Sequence, residues 1–121
     1  MPLPRTDAQL LLLHNPRCSK SRATLALLEE RGVEFELRKY LDAPLDRAEL
    51  DGLRERLGLA VADWVRSGES AFAEAGLGDA ASDEELLDAI AAHPILLQRP
   101  ILVRGKRAAI GRPPEKVLEL L

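Results

Sequence analysis

The chain of 121 residues contains one cysteine, Cys18, set in His14-Asn15-Pro16-Arg17-Cys18-Ser19-Lys20-Ser21-Arg22. A thiol acts as a nucleophile in its thiolate form, and nearby cations or a helix N-terminus favour that form. Arg17, Lys20 and Arg22 supply the cations, and no Asp or Glu occurs anywhere in 8–28. A second stretch without acids, 89–114, carries Arg99, Arg104, Lys106, Arg107 and Arg112, although the whole chain has a net charge of −3. Two cationic segments far apart in sequence suit a small anion, because arginine's planar fork holds two oxygens of an oxyanion at once. The plainer account is two buried strands whose flanks simply lack acids.

Spacing narrows the chemistry. Ser21 stands where a Cys-x-x-Cys motif would need its second thiol, so no internal dithiol cycle is possible. A low-molecular-weight phosphatase loop would need arginine six residues after the cysteine, and that position is Thr24. Two histidines and one cysteine provide too few ligands for structural zinc, and no glycine-rich nucleotide loop is present. A monothiol nucleophile remains, and its resolving thiol must come from another molecule.

The elements that must position this thiol follow from local pattern. The aliphatic run within 9–14, closed by Asn15-Pro16, predicts a buried strand entering a turn. Good helix formers over 19–31, with Gly32 as the cap, predict a helix that starts directly after Cys18. The Val-Glu-Phe-Glu-Leu alternation predicts a half-buried strand over 33–37. Asp46 with Glu49, and Ser82 with Glu85, are capping boxes that open helices to about Leu57 and Ala92. Between them 60–75 reads as one or two short helices interrupted near Gly68. The apolar runs 101–103 and 108–110 flank Arg104-Gly105-Lys106-Arg107, a hairpin with a basic tip whose Arg104 and Arg107 are expected to be solvated or in salt bridges. Pro113 suits the first turn of a closing helix. The order is β-α-β, a helical block, then β-β-α. It predicts one α/β domain over 1–121 with a mixed sheet and a helical insertion at about 46–92.

Composition excludes several classes. An apolar fraction of 46% and a charged fraction of 31% are those of a soluble globular protein rather than a disordered or fibrous one. The longest aliphatic run, 10–13, is far short of the roughly 20 residues that span a bilayer. No apolar signal core stands at the N-terminus, so the expected location is the cytoplasm, which also suits a lone thiol. The acidic net charge argues against nucleic acid as a partner. Trp64, Phe35, Phe72 and Tyr40 are expected in the core, and the acidic segment 79–88 as a helix start with a solvated face.

The Cys18 motif, His93-Pro94-Ile95-Leu96 with Arg99-Pro100-Ile101, and Gly111-Arg112-Pro113-Pro114 together resemble the ArsC family of glutaredoxin-dependent arsenate reductases. The resemblance runs from Leu10 to Leu121, and Ser19-Lys20-Ser21 places the chain nearest a branch in which these residues replace Gly-Thr. It implies a thioredoxin- or glutaredoxin-like fold and a monomeric, metal-free enzyme that reduces arsenate to arsenite in arsenic detoxification. No resident cofactor is implied, with glutathione as co-substrate and glutaredoxin as partner. Residue by residue it implies Cys18 as nucleophile and Arg66, Arg99 and Arg112 as oxyanion ligands. It further implies Pro100 as a cis-proline facing the thiol, with His14, Ser21 and Arg17 tuning it. Two alternatives keep the fold. One is a glutaredoxin-like monothiol reductase of another oxyanion or of mixed glutathione disulfides. The other is a regulator resembling Spx that binds RNA polymerase, against which the missing second cysteine counts.

Overall fold

Four consecutive leucines precede His14, a composition suited to a strand covered on both faces. In the computed structural model, which describes residues 3–78 and 80–121, they form the central strand β1 (Leu10–His14). The strand β2 (Glu36–Lys39) pairs with it in parallel, with Leu11 opposite Glu36 and His14 opposite Lys39. On its other side β3 (Ile101–Arg104) runs antiparallel, with Leu13 opposite Ile101. The outer strand β4 (Arg107–Ile110) pairs with β3, Ile101 opposite Ile110. The sheet order is β2-β1-β3-β4. A two-residue turn, Gly105-Lys106, joins the last two strands. Gly105 adopts φ +57°, and a Cβ there would strike the Thr6–Asp7 backbone at 2.9 Å.

The helices start and stop where their caps dictate. The helix α1 (Ser19–Glu30) begins directly after Cys18, and Gly32 follows its end at φ +66°. Asp46 and Ser82 accept from the amides of Glu49 and Glu85 at the starts of α2 (Arg47–Leu57) and α4 (Asp83–Ala92). Both capping boxes close, since each glutamate accepts in turn from its cap's backbone amide. The segment between them holds a 3-10 turn (Val61–Trp64) and the short α3 (Ser70–Glu74). A further 3-10 turn (Pro94–Leu96) leads into β3.

Two elements differ from the sequence expectation. The second strand lies at Glu36–Lys39 rather than 33–37. Its parallel register would put 33–35 opposite 8–10, where the chain is leaving a turn closed by the Gln9 amide donating to the Thr6 carbonyl. The closing element, Pro114–Leu120, is a 3-10 helix that begins one residue beyond Pro113.

Alternation in β1 and β3 splits the core into two layers. Leu11, Leu13, Ile101 and Val103 meet Leu50, Leu53, Trp64 and Leu87 of the insertion, while Leu12 and Leu102 meet Leu28, Val117 and Leu120. Tyr40 and Trp64 are fully buried as expected, whereas Phe35 and Phe72 are half-buried. Charge also fastens the insertion. Arg38, only 7% exposed, donates to Glu49 at 2.5 Å and to the carbonyls of Ala43 and Pro44. The acids of α4 are more than a solvated face. Glu84 and Asp88 bind Arg47, and Asp83 binds Arg54 at 2.8 Å. Asp79, where that acidic segment begins, lies outside the described residues. No described helix is long and apolar enough to cross a membrane.

Candidate active site

Cys18 is the N-cap of α1, with extended backbone at φ −96° and ψ 124°. Its amide donates to the Asn15 carbonyl at 3.0 Å and its carbonyl accepts from the Arg22 amide at 3.0 Å, so the loop from β1 closes tightly onto the helix. The residue is half-exposed rather than sealed in the core. Asn15 organises that loop. Its side-chain oxygen accepts from the Arg17 amide at 3.0 Å, and its own amide donates to Ser21 Oγ at 3.4 Å. Ser21, fully buried, thus braces the loop through Asn15. The Arg17 side chain is exposed, and the Arg22 guanidinium donates back to the Pro16 carbonyl at 2.9 Å.

His14, only 3% exposed, ends β1 with its Nδ1 buried and unpartnered. Burial, reinforced by the charges of Lys39 and Arg22, lowers its pKa below the ordinary histidine value and favours the neutral ring. A neutral imidazole there leaves the loop's positive charge to the arginines and lysines.

Carrying the three strand registers a short way past the strand ends produces one row across the sheet. Tyr40 falls beside Asn15, Asn15 beside Arg99, and Arg99 beside Arg112. Hydrogen bonds continue the ladder at the outer pair. The Gly111 amide donates to the Pro100 carbonyl at 2.8 Å, and Arg112 Nη1 donates to the Arg99 carbonyl at 3.0 Å. Both the Arg99–Pro100 and the Arg112–Pro113 peptide bonds are cis. Gly111 must be glycine for steric reasons, because a Cβ there would lie 2.8 Å from both Pro100 Cγ and Thr24 Oγ1 of α1.

Arg99 carries the sharpest signal. Its Nε and Nη1 are buried without a hydrogen-bond partner, which leaves two donors of its fork unspent. Arg66 reaches the same region from the insertion. Its amide donates to the Leu96 carbonyl at 2.7 Å, and Val65 bridges to Leu97, so the segment is stitched to the approach to Arg99. Its guanidinium is ion-paired with Glu69. Arg66, Glu69, Gln98 and Arg112 line one cleft of about 390 Å³. The Cys18 sulfur and the Arg99 guanidinium are not among that cleft's walls. A larger cleft of about 860 Å³, bounded by Leu3, Gln9 and Phe35, lies at the opposite end of β1 and touches none of these residues.

The structure therefore groups Arg66, Arg99 and Arg112 at the end of the sheet that carries the Cys18 loop, with Pro100 following Arg99 and opposite Gly111. Arg104 and Arg107 stand apart. Arg104 is spent on the carbonyls of Asp7 and Leu120 at 2.8 Å each, a half-buried strut rather than the solvated or salt-bridged charge expected, while Arg107 is exposed. Sequence reasoning placed Tyr40 in the core and missed its polar end. Its hydroxyl is buried without a hydrogen-bond partner and lies within electrostatic reach of Cys18, Arg66 and Glu69. The signal that finds it is the register of two strands 25 residues apart, as Leu12 opposite Leu37 shows.

Comparison with known proteins supplies a lineage. The model of the ArsC family matches residues 13–120. A protein of Neisseria meningitidis called arsenate reductase is 48% identical over 93% of this chain and 98% of its own length. An Escherichia coli protein carrying the name YfgD and no described activity is 47% identical over 93% of this chain and 97% of its own. Among solved structures, an arsenate reductase from Vibrio cholerae superposes with a TM-score of 0.89 at 46% identity, covering 93% of this chain and 98% of that one.

Proposed function

The chain belongs to the ArsC family, with its thioredoxin-like mixed α/β fold, and from that premise we propose that it is an oxidoreductase that reduces arsenate to arsenite through Cys18. The observation that carries the reading is Arg99, whose two buried and unspent donors sit one strand away from the cysteine loop. Two buried guanidinium nitrogens without partners are costly unless an anion completes them. Arg112, held against the Arg99 carbonyl, and Arg66, half-screened by Glu69, supply further positive charge for a tetrahedral oxyanion.

The chemistry follows from one sulfur and three cations. The arginines offset the charge that otherwise repels an anionic nucleophile from an anionic substrate. The Cys18 thiolate attacks arsenic, an arsenic–oxygen bond breaks, and a hydroxyl leaves with a proton as water. The product is a thiol-arsenate ester on Cys18. Reduction of arsenic(V) to arsenic(III) takes two electrons, and a lone enzyme thiol cannot supply both as an internal disulfide. Glutathione displaces a second oxygen to form a mixed adduct. Glutaredoxin then attacks the glutathione sulfur and leaves as a mixed disulfide, its electron pair passing to arsenic, and water hydrolyses the remaining Cys18–arsenic(III) bond to release arsenite and restore the thiol. The protein needs no resident cofactor for this scheme. It would act as a cytoplasmic monomer that meets glutathione and glutaredoxin in solution.

The test is NADPH oxidation coupled through glutathione reductase, glutathione and glutaredoxin. Turnover is expected to depend on arsenate and to vanish in Cys18→Ser. Turnover of a glutathionylated peptide without any response to arsenate would overturn the arsenate reading in favour of a mixed-disulfide reductase.

A further inference from the structure

Tyr40 is the only tyrosine in the chain and Cys18 the only cysteine, and the fold brings the two to one place. Tyr40 follows β2 directly and falls beside Asn15, the residue that organises the Cys18 loop. Its ring is 1% exposed and belongs to the core layer that includes Trp64, Val65 and Leu97. The hydroxyl is buried with no hydrogen-bond partner. The groups that face it are Cys18 and Asn15 from the loop, and Arg66 and Glu69 from the insertion. A buried hydroxyl normally finds an acceptor, and one without a well-aligned partner calls for an explanation.

The candidates for that acceptor are few. The Asn15 side chain lies within reach of the hydroxyl, but it is a neutral partner whose oxygen already accepts from the Arg17 amide. Glu69 is engaged by Arg66. Arg66 can only donate. The group whose acceptor strength changes during function is sulfur, which accepts well only once it has lost its proton. We propose that the Tyr40 hydroxyl is the hydrogen-bond donor that holds the Cys18 thiolate. The proposal rests on the reading of Cys18 as the nucleophile and assigns a residue to its activation. Tyr40 is suited to donating rather than to acting as a base. Burial raises the phenol's pKa above its ordinary value, and the nearby Cys18 charge raises it further while Asn15 and Arg66 oppose. The phenol therefore keeps its proton at neutral pH.

The presence of one tyrosine and one cysteine makes the test clean. The rate of Cys18 alkylation by iodoacetamide is measured against pH, with no arsenate present, in the wild type, in Tyr40→Phe, and in protein whose tyrosine is uniformly replaced by 3-fluorotyrosine. The first change removes the donor and keeps the ring; the second makes the phenol more acidic and a stronger donor. Loss of the hydrogen bond is expected to lower alkylation at pH 7 about tenfold and to move the acid limb of the profile to higher pH. The fluorinated protein is expected to shift that limb to lower pH. His14, Arg22, Lys39, Arg66 and Glu69 also shape the local field, but fluorination leaves all of them untouched. Coincident profiles, or shifts of the same sign in both proteins, would overturn the proposal. Should Tyr40→Phe fail to fold, the fluorinated protein decides alone. Opposite shifts in a protein that ignores arsenate would sink the substrate and leave the donor standing.

Discussion

At the scale of single residues, the cysteine and its cations were legible because their chemistry is written in residue type and in the absence of acids. Arg66 is a different matter. No periodicity singles it out, and its relevance depends on the stitch between Val65 and Leu97, which only the folded chain displays. Tyr40 was hidden for the same reason, since an aromatic residue after a strand reads as core and is core on all sides but one. The contrast between fork and point charge gives a direct prediction for Arg99. Arg99→Lys keeps the charge but loses the two-pronged geometry, so the KM for arsenate is expected to rise about tenfold with a smaller change in kcat. Arg107→Lys, on the exposed hairpin, is expected to leave both parameters unchanged. Steady-state kinetics of the two variants in the same coupled assay separates them. Equal effects would mean that the region senses net charge alone.

At the scale of elements, caps proved to be the most readable signals. Asp46 with Glu49 and Ser82 with Glu85 close as boxes, and Gly58 stops α2 at φ +63°. The second strand was less readable, because alternation records which side of a segment is buried and not where its partner strand begins. Residues 33–37 do alternate between half-buried and exposed, yet the ladder takes in only the last two of them. Gly111 shows how closely elements meet at the site. It lies where β4, Pro100 and α1 converge, with no room for a methyl group. Gly111→Ala is expected to cost about 2 kcal/mol of stability through overpacking. Because the displaced atoms belong to Pro100 and to the helix that starts at Cys18, activity should fall more than the folded fraction does. Thermal melting alongside the coupled assay measures both losses, and a stable, fully active variant would show that the junction yields easily.

At the scale of the whole molecule, the insertion supplies Arg66 and Glu69 and must therefore stay in place against the sheet. Arg38 does much of that work. It sits in the core layer beneath the insertion and holds the Glu49 carboxyl below its usual carboxylate range, chiefly by direct hydrogen bonding. A carboxyl whose folded value is depressed stabilises fully above its unfolded value of 4.5 and loses that contribution as pH falls through the folded value. Glu49→Gln is expected to cost about 2 kcal/mol at neutral pH, where Arg38 loses the charge-assisted hydrogen bonds to this carboxylate. The variant should also show a shallower loss of stability below pH 4.5 than the wild type. Urea denaturation at several pH values checks both, and parallel pH curves would relieve Arg38 of this role. The sequence announced neither partner, since their pairing joins a strand to the helix that follows it across a turn.

The short Gly105-Lys106 connection has a reach well beyond its size. It sets the phase between β3 and β4, and through that phase it decides that Arg112 lands level with Arg99. In a sheet, lengthening one arm of a hairpin by a single residue turns the side chains beyond it to the opposite face. A chain of this lineage with one more residue in that bend would keep its strands and most of its leucine core, yet send Arg112 toward α1 and away from its neighbouring cation. The alignment of the two arginines proposed to take the oxyanion is thus counted out at a glycine bend at the far end of the sheet.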